Sequence, residues 1–313
     1  MLIYLIRRVA LAVVVLFGLL VATFFIIHLV PGDPVRIVLA GRATPEAIAR
    51  VRHELGLDRP LWTQFTLYVS HTLRGHFGTS FTLESPVAQI VGQRLGPSAA
   101  LIGYGMLLSI VIGVPLAIVA ALRPNSWLDK AVRLGTTFTF ALPGFWLGLM
   151  LALIFGLKLG WFPVAGYSGG IGGILRTLTL PSLALGLALS GVVVRTLRSS
   201  LLEVLQSEYI EAARSRGLSE LRVVGKHALR NSAMNTLTIL SVNIGFLIGG
   251  TVVLEQVFQI PGLGSLLVDA VEKRDYQLVQ ALALLAGAAV VVASLAADIV
   301  QALLDPRVRL AGR

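Results

Sequence analysis

Long uncharged stretches alternate with short charged ones along the whole chain. Six of these stretches approach or exceed the ~20 residues that an α-helix needs to cross a bilayer. They are Val9–Gly32, Leu95–Leu122, Leu134–Leu157, Thr177–Val194, Asn231–Leu254 and Tyr276–Ala297. The fourth is the shortest, and its ends are the least sharply marked. The pattern therefore predicts an all-α polytopic membrane protein with six transmembrane helices.

A seventh uncharged stretch, residues 159–175, predicts a loop rather than a helix. It reads LGWFPVAGYSGGIGGIL, with one proline and six glycines, and these residues make a helix costly. Its three aromatic side chains suit the membrane–water interface. We expect this stretch to form an external loop between the third and fourth spans.

The composition supports lipid as the solvent for most of the chain. Of 313 residues, 56% are hydrophobic and only 13% are charged, whereas soluble domains carry about 25% charged residues. The chain contains no cysteine, which excludes disulfides, thiolate metal sites and cysteine nucleophiles. The first stretch is followed by VPGDPV instead of a small-residue cleavage site, so it is predicted to be a retained helix and not a signal peptide.

The net charge of +10 predicts an orientation in the membrane. With the N-terminus in the cytoplasm, fifteen Lys and Arg residues fall in cytoplasmic segments and four fall in the two short external loops. Because positive residues accumulate on the cytoplasmic side, both termini are expected there. This topology explains the charge without a nucleic-acid partner.

Two external segments are long, and residues 33–94 form the larger of them. Residues 33–94 are expected to hold amphipathic helices that lie on the outer membrane surface or cap the mouth of the bundle. One helix is predicted to begin with Thr44 as its cap and Pro45 as its first residue, and a second to begin near DRP at 58–60. GHFGTSF predicts a loop before the second span, and residues 255–275 form the other external loop.

A hydrophilic segment, 195–230, separates the fourth and fifth stretches on the cytoplasmic side. Its centre, EYIEAARSRGLSELR, carries six charges in fifteen residues. Gly217 fits the left-handed position that ends a helix, and Ser219 is a candidate N-cap for the next helix. A solvated loop would also be charged, but this segment is far longer than the roughly 2–8 residues of most helix connections in bundles. The segment therefore predicts two short helices, joined at Gly217, that dock onto a partner.

Within this segment EAARSRG resembles the EAA motif of permease subunits of ABC importers. HLVPGDPV, EQVFQIPGLGSLLVDAVEKRDYQLVQ, DIVQALLDPRVR and GKHALRNSA resemble signatures of the peptide/nickel branch of that family. His227 and Arg230 depart from the general motif, which ends in Ile-x-Leu-Pro, and Gln301 stands where Tyr is common. The resemblance covers residues 1–313.

The resemblance implies one transmembrane permease domain of type I fold, similar to the B-type dipeptide or oligopeptide permease, in the bacterial cytoplasmic membrane. It implies partners for this chain: a second homologous permease, two cytoplasmic ATP-binding subunits and an extracytoplasmic solute-binding protein. ATP and Mg²⁺ would be bound by the ATP-binding subunits. Since the sequence has no G-x-x-x-x-G-K-[ST] loop, the chain is expected to bind no cofactor and to be no enzyme.

In that family the helix with the motif, called the coupling helix, sits in a groove of the ATP-binding subunit. Glu211 is expected to accept hydrogen bonds from a basic partner, the small side chain of Ala212 to allow close approach, and Tyr209 to fill an apolar cavity. The full set of candidate coupling residues is Tyr209, Glu211, Ala212, Ala213, Gly217 and Leu218.

Polar residues of the fifth stretch and the loop after it are candidates for the substrate pathway. Small residues allow membrane helices to pack closely, and polar ones face protein or water. Glu255 and Gln259, at the outer end, are expected to meet the ammonium group of a peptide. The candidates are Ser241, Asn243, Glu255 and Gln259.

Two other classes of protein are alternatives. An autonomous secondary transporter or channel would place ionisable residues within its helices, and the first five stretches hold none apart from His28. A membrane protease would need a histidine on a later helix to activate Ser168 of GYSGG. An importer of the same class for nickel chelates or haem stays open, and no metal site is expected. Asp298, near the cytoplasmic end of the sixth stretch, is expected to pair with a basic residue.

Overall fold

The computed structural model describes residues 2–29, 44–46, 52–53 and 58–304. Its helices are α1 (Leu2–Leu29), α2 (Leu61–Leu73), α3 (Val87–Leu122), α4 (Trp127–Ala141), α5 (Gly144–Leu151), α6 (Gly170–Thr177), α7 (Thr179–Leu205), α8 (Glu208–Ser215), α9 (Glu220–Arg222), α10 (Leu229–Val242), α11 (Ile244–Val257), α12 (Leu263–Glu272) and α13 (Tyr276–Leu304). Two π-helical segments, Ala152–Lys158 and Val223–Ala228, follow α5 and α9. No strand occurs in these ranges, so the all-α prediction is confirmed.

Four helices are long and apolar enough to cross a membrane, namely α1, α3, α7 and α13. Two further pairs of helices pass the same criteria together but are bent between their members, and the number of spans reaches six when each pair counts as one. The predicted orientation of the termini stays a prediction.

The prediction of one helix over Leu134–Leu157 is wrong. α4 and the helix that follows it, Gly144–Lys158, meet at 103°. Leu142 is extended, with ψ 136°, which is the conformation favoured before a proline. Pro143 has no N–H to continue the helical hydrogen bonds. The proline therefore turns the chain sharply inside the uncharged stretch.

The fifth stretch is also bent, by 62°, between α10 and α11. The side-chain amide of Asn243 donates to the carbonyl of Ile239 at 2.7 Å, and the backbone N–H of Asn243 donates to the same carbonyl at 3.2 Å. An asparagine side chain that binds a carbonyl of the preceding turn competes with the helical ladder. This contact lies where α10 ends.

Several predicted boundaries need correction. α7 continues to Leu205, well into the segment predicted to be a cytoplasmic connection, and α3 begins before Leu95, at Val87. The predicted loop 159–175 is helical from Gly170 onward, where the hydroxyl of Thr177 donates to the carbonyl of Gly173 at 2.8 Å and so supports this short helix.

The described parts of the segment 33–94 match their predictions. α2 begins directly after Pro60, residues 75–80 form a loop, and Thr44 stands just before the helical residues Pro45 and Glu46. The rest of that first helix, with most of HLVPGDPV and the end of DIVQALLDPRVR, lies outside the described residues.

α7 is the central helix of the bundle. In α7, 72% of the apolar stretch is buried inside the protein, whereas in α1 only 11% of the apolar stretch is buried. α3 packs closely along α7, because a Cβ atom on Gly105 would come within 2.7 Å of Leu185. Such small residues let two membrane helices approach. A cluster of buried apolar residues from α3, α5, α7 and α11 completes this core.

α1 is attached to the bundle through α13, to which it runs antiparallel. The guanidinium of Arg8 lies 3.0 Å from the carboxylate of Asp298, which confirms the predicted pairing of Asp298 with a basic residue. About three helical turns further along α1, Leu19 packs so tightly on Gly287 that a Cβ atom there would lie 2.5 Å away. Polar and apolar contacts thus alternate along this pair of helices.

Candidate functional site

The hydrophilic segment forms the two predicted short helices, and we name Glu208–Arg222 the coupling segment. α8 ends at Ser215 and is followed by Gly217 with φ +75°. The N–H of Gly217 donates to the carbonyl of Arg214 at 2.9 Å, and the N–H of Leu218 donates to that of Ala213 at 3.4 Å. These two bonds are the helix-ending arrangement that requires a left-handed residue. Gly217 therefore fixes the angle between α8 and α9.

The second helix is held by a different contact from the one predicted. Ser219 occupies the N-cap position, but its side chain makes no capping hydrogen bond. Instead, the guanidinium of Arg214 binds the carboxylate of Glu220 at 2.8 and 3.4 Å, across the Gly217 turn. Both side chains are exposed to solvent, so this pair contributes under about 1 kcal/mol.

The inner face of α8 is packed against the membrane helices of the same chain. Ile210 is fully buried and Ala213 is 8% exposed. They belong to a cluster that includes Leu197 and Leu201 of α7 and Ala117 of α3. α8 therefore packs directly against α3 and α7.

The outer face of the coupling segment is uncovered. Tyr209 is 42% exposed, Glu211 and Ala212 are exposed, and Leu221 is 90% exposed. The hydroxyl of Tyr209 accepts a 2.7 Å hydrogen bond from Asn231, which orients its ring. Leu221 was missed by the sequence analysis, although a leucine between Glu220 and Arg222 is an apolar residue in a polar environment. Such exposed apolar side chains mark interaction surfaces when they group with others.

The six candidate coupling residues divide between the two faces. Ala213 points into the chain's own core, and Leu218 is half-buried against the same cluster. Neither is placed to receive a partner directly. The four on the uncovered side are Tyr209, Glu211, Ala212 and Gly217.

The three candidate pathway residues whose side chains the structure describes differ in their surroundings. Asn243 lies half-buried at the bend between α10 and α11, and Gln259 is exposed with φ +50°. Glu255 is fully buried. The side chain of Ser241 lies outside the described part of the structure.

Glu255 is held inside the protein by groups from two other elements. Its carboxylate accepts from the hydroxyl of Ser98 on α3 at 2.6 Å and from the N–H of Ser265 at 2.9 Å. The hydroxyl of Ser98 in turn accepts from the N–H of Leu263 at 2.8 Å. A Cβ atom on Gly262 would clash with the carboxylate. In this arrangement Glu255 joins α3, α11 and the turn before α12, and IPGLG provides the glycine that leaves room for it.

Comparisons with known proteins identify related sequences over the whole chain. Residues 113–310 match the model of the binding-protein-dependent transport system inner membrane component, and residues 1–101 match that of its N-terminal region. The glutathione transport system permease protein GsiC of Salmonella paratyphi A is 39% identical over 312 residues, covering 99% of each chain. GsiC of Escherichia coli is 38% identical over 309 residues, again covering 99% of each.

Solved structures show the same fold at lower sequence identity. A chain of the MetNI methionine ABC transporter in an inward-facing conformation has a TM-score of 0.58 and 16% identity, over 69% of this chain and 97% of that one. A second crystal form of MetNI gives a TM-score of 0.53 and 18% identity, with the same coverage.

Proposed function

Because the chain belongs to the family of inner membrane components of binding-protein-dependent transport systems, we propose that it carries small peptides across the bacterial cytoplasmic membrane when partner subunits hydrolyse ATP. It is a permease subunit of an ABC importer with the type I fold, and permeases of this family are not themselves catalytic. We propose its substrate, its partners, and the residues that couple ATP hydrolysis by the partners to movement of the substrate.

The two-faced coupling segment is the observation that carries this proposal. Its outer face offers Tyr209, Glu211 and Leu221 to a partner, while its inner face places Ile210 against α3 and α7. A solvated connector would need neither the buried Ile210 nor the uncovered Leu221. This arrangement suits a segment that a partner moves through its outer face and that moves α3 and α7 through its inner face.

The proposed cycle is alternating access. Closure of two ATP-binding subunits moves their docked coupling segments together, and Ile210 transmits the movement to α7. The membrane helices then open away from the ATP-binding subunits to receive substrate, and hydrolysis reverses the change. ATP and Mg²⁺ are bound by the partner subunits in this proposal.

The proposed assembly contains this chain, a second homologous permease, two ATP-binding subunits and a solute-binding protein. Glutathione is a tripeptide, and the relatives at 38–39% identity are named glutathione permeases. This similarity favours small peptides over nickel chelates and haem as the substrate class.

Reconstitution of the complete importer in proteoliposomes tests the coupling role. Glu211→Lys reverses the charge on the outer face. Gly217→Pro cannot keep the left-handed conformation of this turn, because the proline ring confines φ to negative values. We expect both variants to insert and assemble but to lose peptide uptake at a given rate of ATP hydrolysis. Glu203→Lys, an exposed carboxylate outside the segment, is the matched control. Normal uptake in both variants would remove the coupling role.

The substrate class is tested separately in the unmodified complex. Uptake of labelled glutathione and dipeptides is compared with uptake of chelated nickel and of haem. We expect ATP-dependent accumulation of peptides only; accumulation of nickel or haem without peptides would reject the peptide proposal while leaving the coupling role intact.

A further inference from the structure

The helix α2, Leu61–Leu73, has an unusual surface for a segment outside the predicted spans. Its sequence LWTQFTLYVSHTL contains no Asp, Glu, Lys or Arg, although Arg59 and Arg74 flank it directly. None of its residues is fully buried in the protein. A helix without acidic, lysine or arginine residues that fully buries so little of its surface fits poorly in water.

α2 packs against α1 through an aromatic cluster. The ring of Phe65 lies 6.2 Å from that of Phe17 and 5.3 Å from that of Phe24, between centroids. The hydroxyls of Tyr68 and Thr23 lie 2.9 Å apart. These contacts fix the position of α2 along the axis of α1.

That position lies along the apolar span of α1, Ile6–Phe25. Phe17 lies nine residues beyond Arg8, which is about 14 Å at 1.5 Å per residue, close to the middle of a ~30 Å core. Phe24 lies about 24 Å from Arg8 by the same rise. Since Phe65 touches both rings, it lies between these depths, in the leaflet at the carboxyl end of α1.

Three polar side chains of α2 donate hydrogen bonds within the helix and its flank, which lowers the cost of placing them in lipid. The hydroxyl of Thr66 donates to the carbonyl of Thr63 at 3.0 Å, and that of Ser70 donates to Leu67 at 2.9 Å. The amide of Gln64 donates to the carbonyl of Arg59 at 2.7 Å. These side chains therefore do not need water.

Large apolar side chains of α2 are exposed. Trp62 is 74% exposed and Leu61 is 56% exposed. Val14 of α1 is likewise 66% exposed. It belongs to the apolar span of α1, about 9 Å beyond Arg8, and Phe65 lies further along the same span.

We propose that α2 is embedded in the leaflet at the carboxyl end of α1, with phospholipid acyl chains covering Leu61 and Trp62. The helix is then a partial span that anchors the segment before α3 beside α1, instead of a lid over the mouth of the bundle.

Site-directed nitroxide labelling of the complete importer in lipid bilayers tests this placement. The chain contains no cysteine, so Leu61→Cys and Trp62→Cys each give a single labelling site in this subunit. The lipid reference is Val14→Cys on α1, and the water reference is Glu84→Cys in an exposed loop. Collision with oxygen reports lipid, and collision with a water-soluble nickel chelate reports water.

We expect the labels at 61 and 62 to resemble the label at 14, with strong oxygen and weak nickel-chelate collisions. Nickel-chelate collisions like those at 84 would overturn the proposal, and so would weak collisions with both reagents, because these indicate a protein cover. If the cysteine variants fail to assemble, a Trp127→Phe/Trp146→Phe/Trp161→Phe variant leaves Trp62 as the probe. Its fluorescence must then be quenched by brominated acyl chains, and unquenched fluorescence would reject embedding.

Discussion

Arg198 of α7 donates two hydrogen bonds, each 2.7 Å long, to the carboxylate of Asp129 near the start of α4. Asp129 is fully buried and also accepts from the N–H of Asn125 at 3.0 Å. Arg198 stands three residues before Leu201, which packs in the same cluster as Ile210 of the coupling segment. The pair therefore ties the connection between α3 and α4 to the part of α7 that packs against α8.

Asp129→Ala should destabilise the subunit strongly. It leaves Arg198, which is 16% exposed, without its partner, and breaking a buried pair in this way costs about 3 kcal/mol or more. Thermal unfolding of the purified complex measures the loss. Arg214→Ala removes the exposed pair with Glu220 and should cost under about 1 kcal/mol. Equal losses for the two variants would contradict the structural role of Asp129.

Ile210→Ala, on the inner face of α8, should weaken the coupling of ATP hydrolysis to peptide transport. The cavity left beneath α8 costs about 2–5 kcal/mol and loosens the contact with α7, so more ATP is hydrolysed per peptide transported. Leu221→Ala, on the outer face, should leave stability within about 0.5 kcal/mol but reduce the amount of ATP-binding subunit that copurifies. If both variants lowered only stability, or both lowered only copurification, the division of the coupling segment into an inner and an outer face would be contradicted.

Asp275→Ala should release the segment before α3. The carboxylate of Asp275 accepts from the hydroxyls of Ser80 at 2.5 Å and Thr82 at 2.8 Å and from the N–H of Thr82 at 3.1 Å. Loss of such a buried acceptor costs about 1–3 kcal/mol, so cleavage by trypsin after the exposed Arg74 should become roughly tenfold faster.

The control for this experiment is Asp269→Ala, which removes an exposed carboxylate from α12. Its cleavage rate should match that of the unmodified protein. Unchanged cleavage in Asp275→Ala would show that the segment is held by other contacts.

Glu255→Gln separates a structural role from a place in the substrate pathway. The amide nitrogen of glutamine would face either the hydroxyl of Ser98 or the N–H of Ser265, and one bond would be lost at a cost of about 1–3 kcal/mol. Because Glu255 is fully buried, we expect lower thermal stability with an unchanged KM for peptide uptake. A raised KM with normal stability would instead support contact with the substrate, and the exposed Gln259→Ala serves as the control for stability.

Much of the fold follows from local patterns in the sequence. The uncharged stretches predicted the membrane helices because lipid imposes a minimum length on them. Gly217 predicted the turn between α8 and α9 because few residues other than glycine adopt a left-handed conformation without strain. Pro143 carried a local signal for the sharp bend after α4, which the length of its uncharged stretch concealed.

Long-range pairing could not be predicted in the same way. Asp129 and Arg198 are separated by 69 residues, and Ser80 and Asp275 by 195, so no spacing rule connects them. The role of Glu255 was also beyond local patterns. An acidic residue at the end of an apolar stretch suggests contact with a ligand, which was the prediction. Its burial depends on Ser98 and the turn at Gly262, which only the packed structure brings together.

Cross-linking from two adjacent alanines tests whether the coupling segment docks on the ATP-binding subunit. Ala212 is exposed and Ala213 is buried in the chain's own core. Ala212→Cys and Ala213→Cys are therefore adjacent in sequence but lie on different faces of α8. With a short photoactivated cross-linker in the assembled importer, the account predicts that Ala212→Cys captures the ATP-binding subunit and Ala213→Cys does not. Failure of Ala212→Cys to capture that subunit, in a complex that still hydrolyses ATP and imports peptide, would contradict docking through the coupling segment.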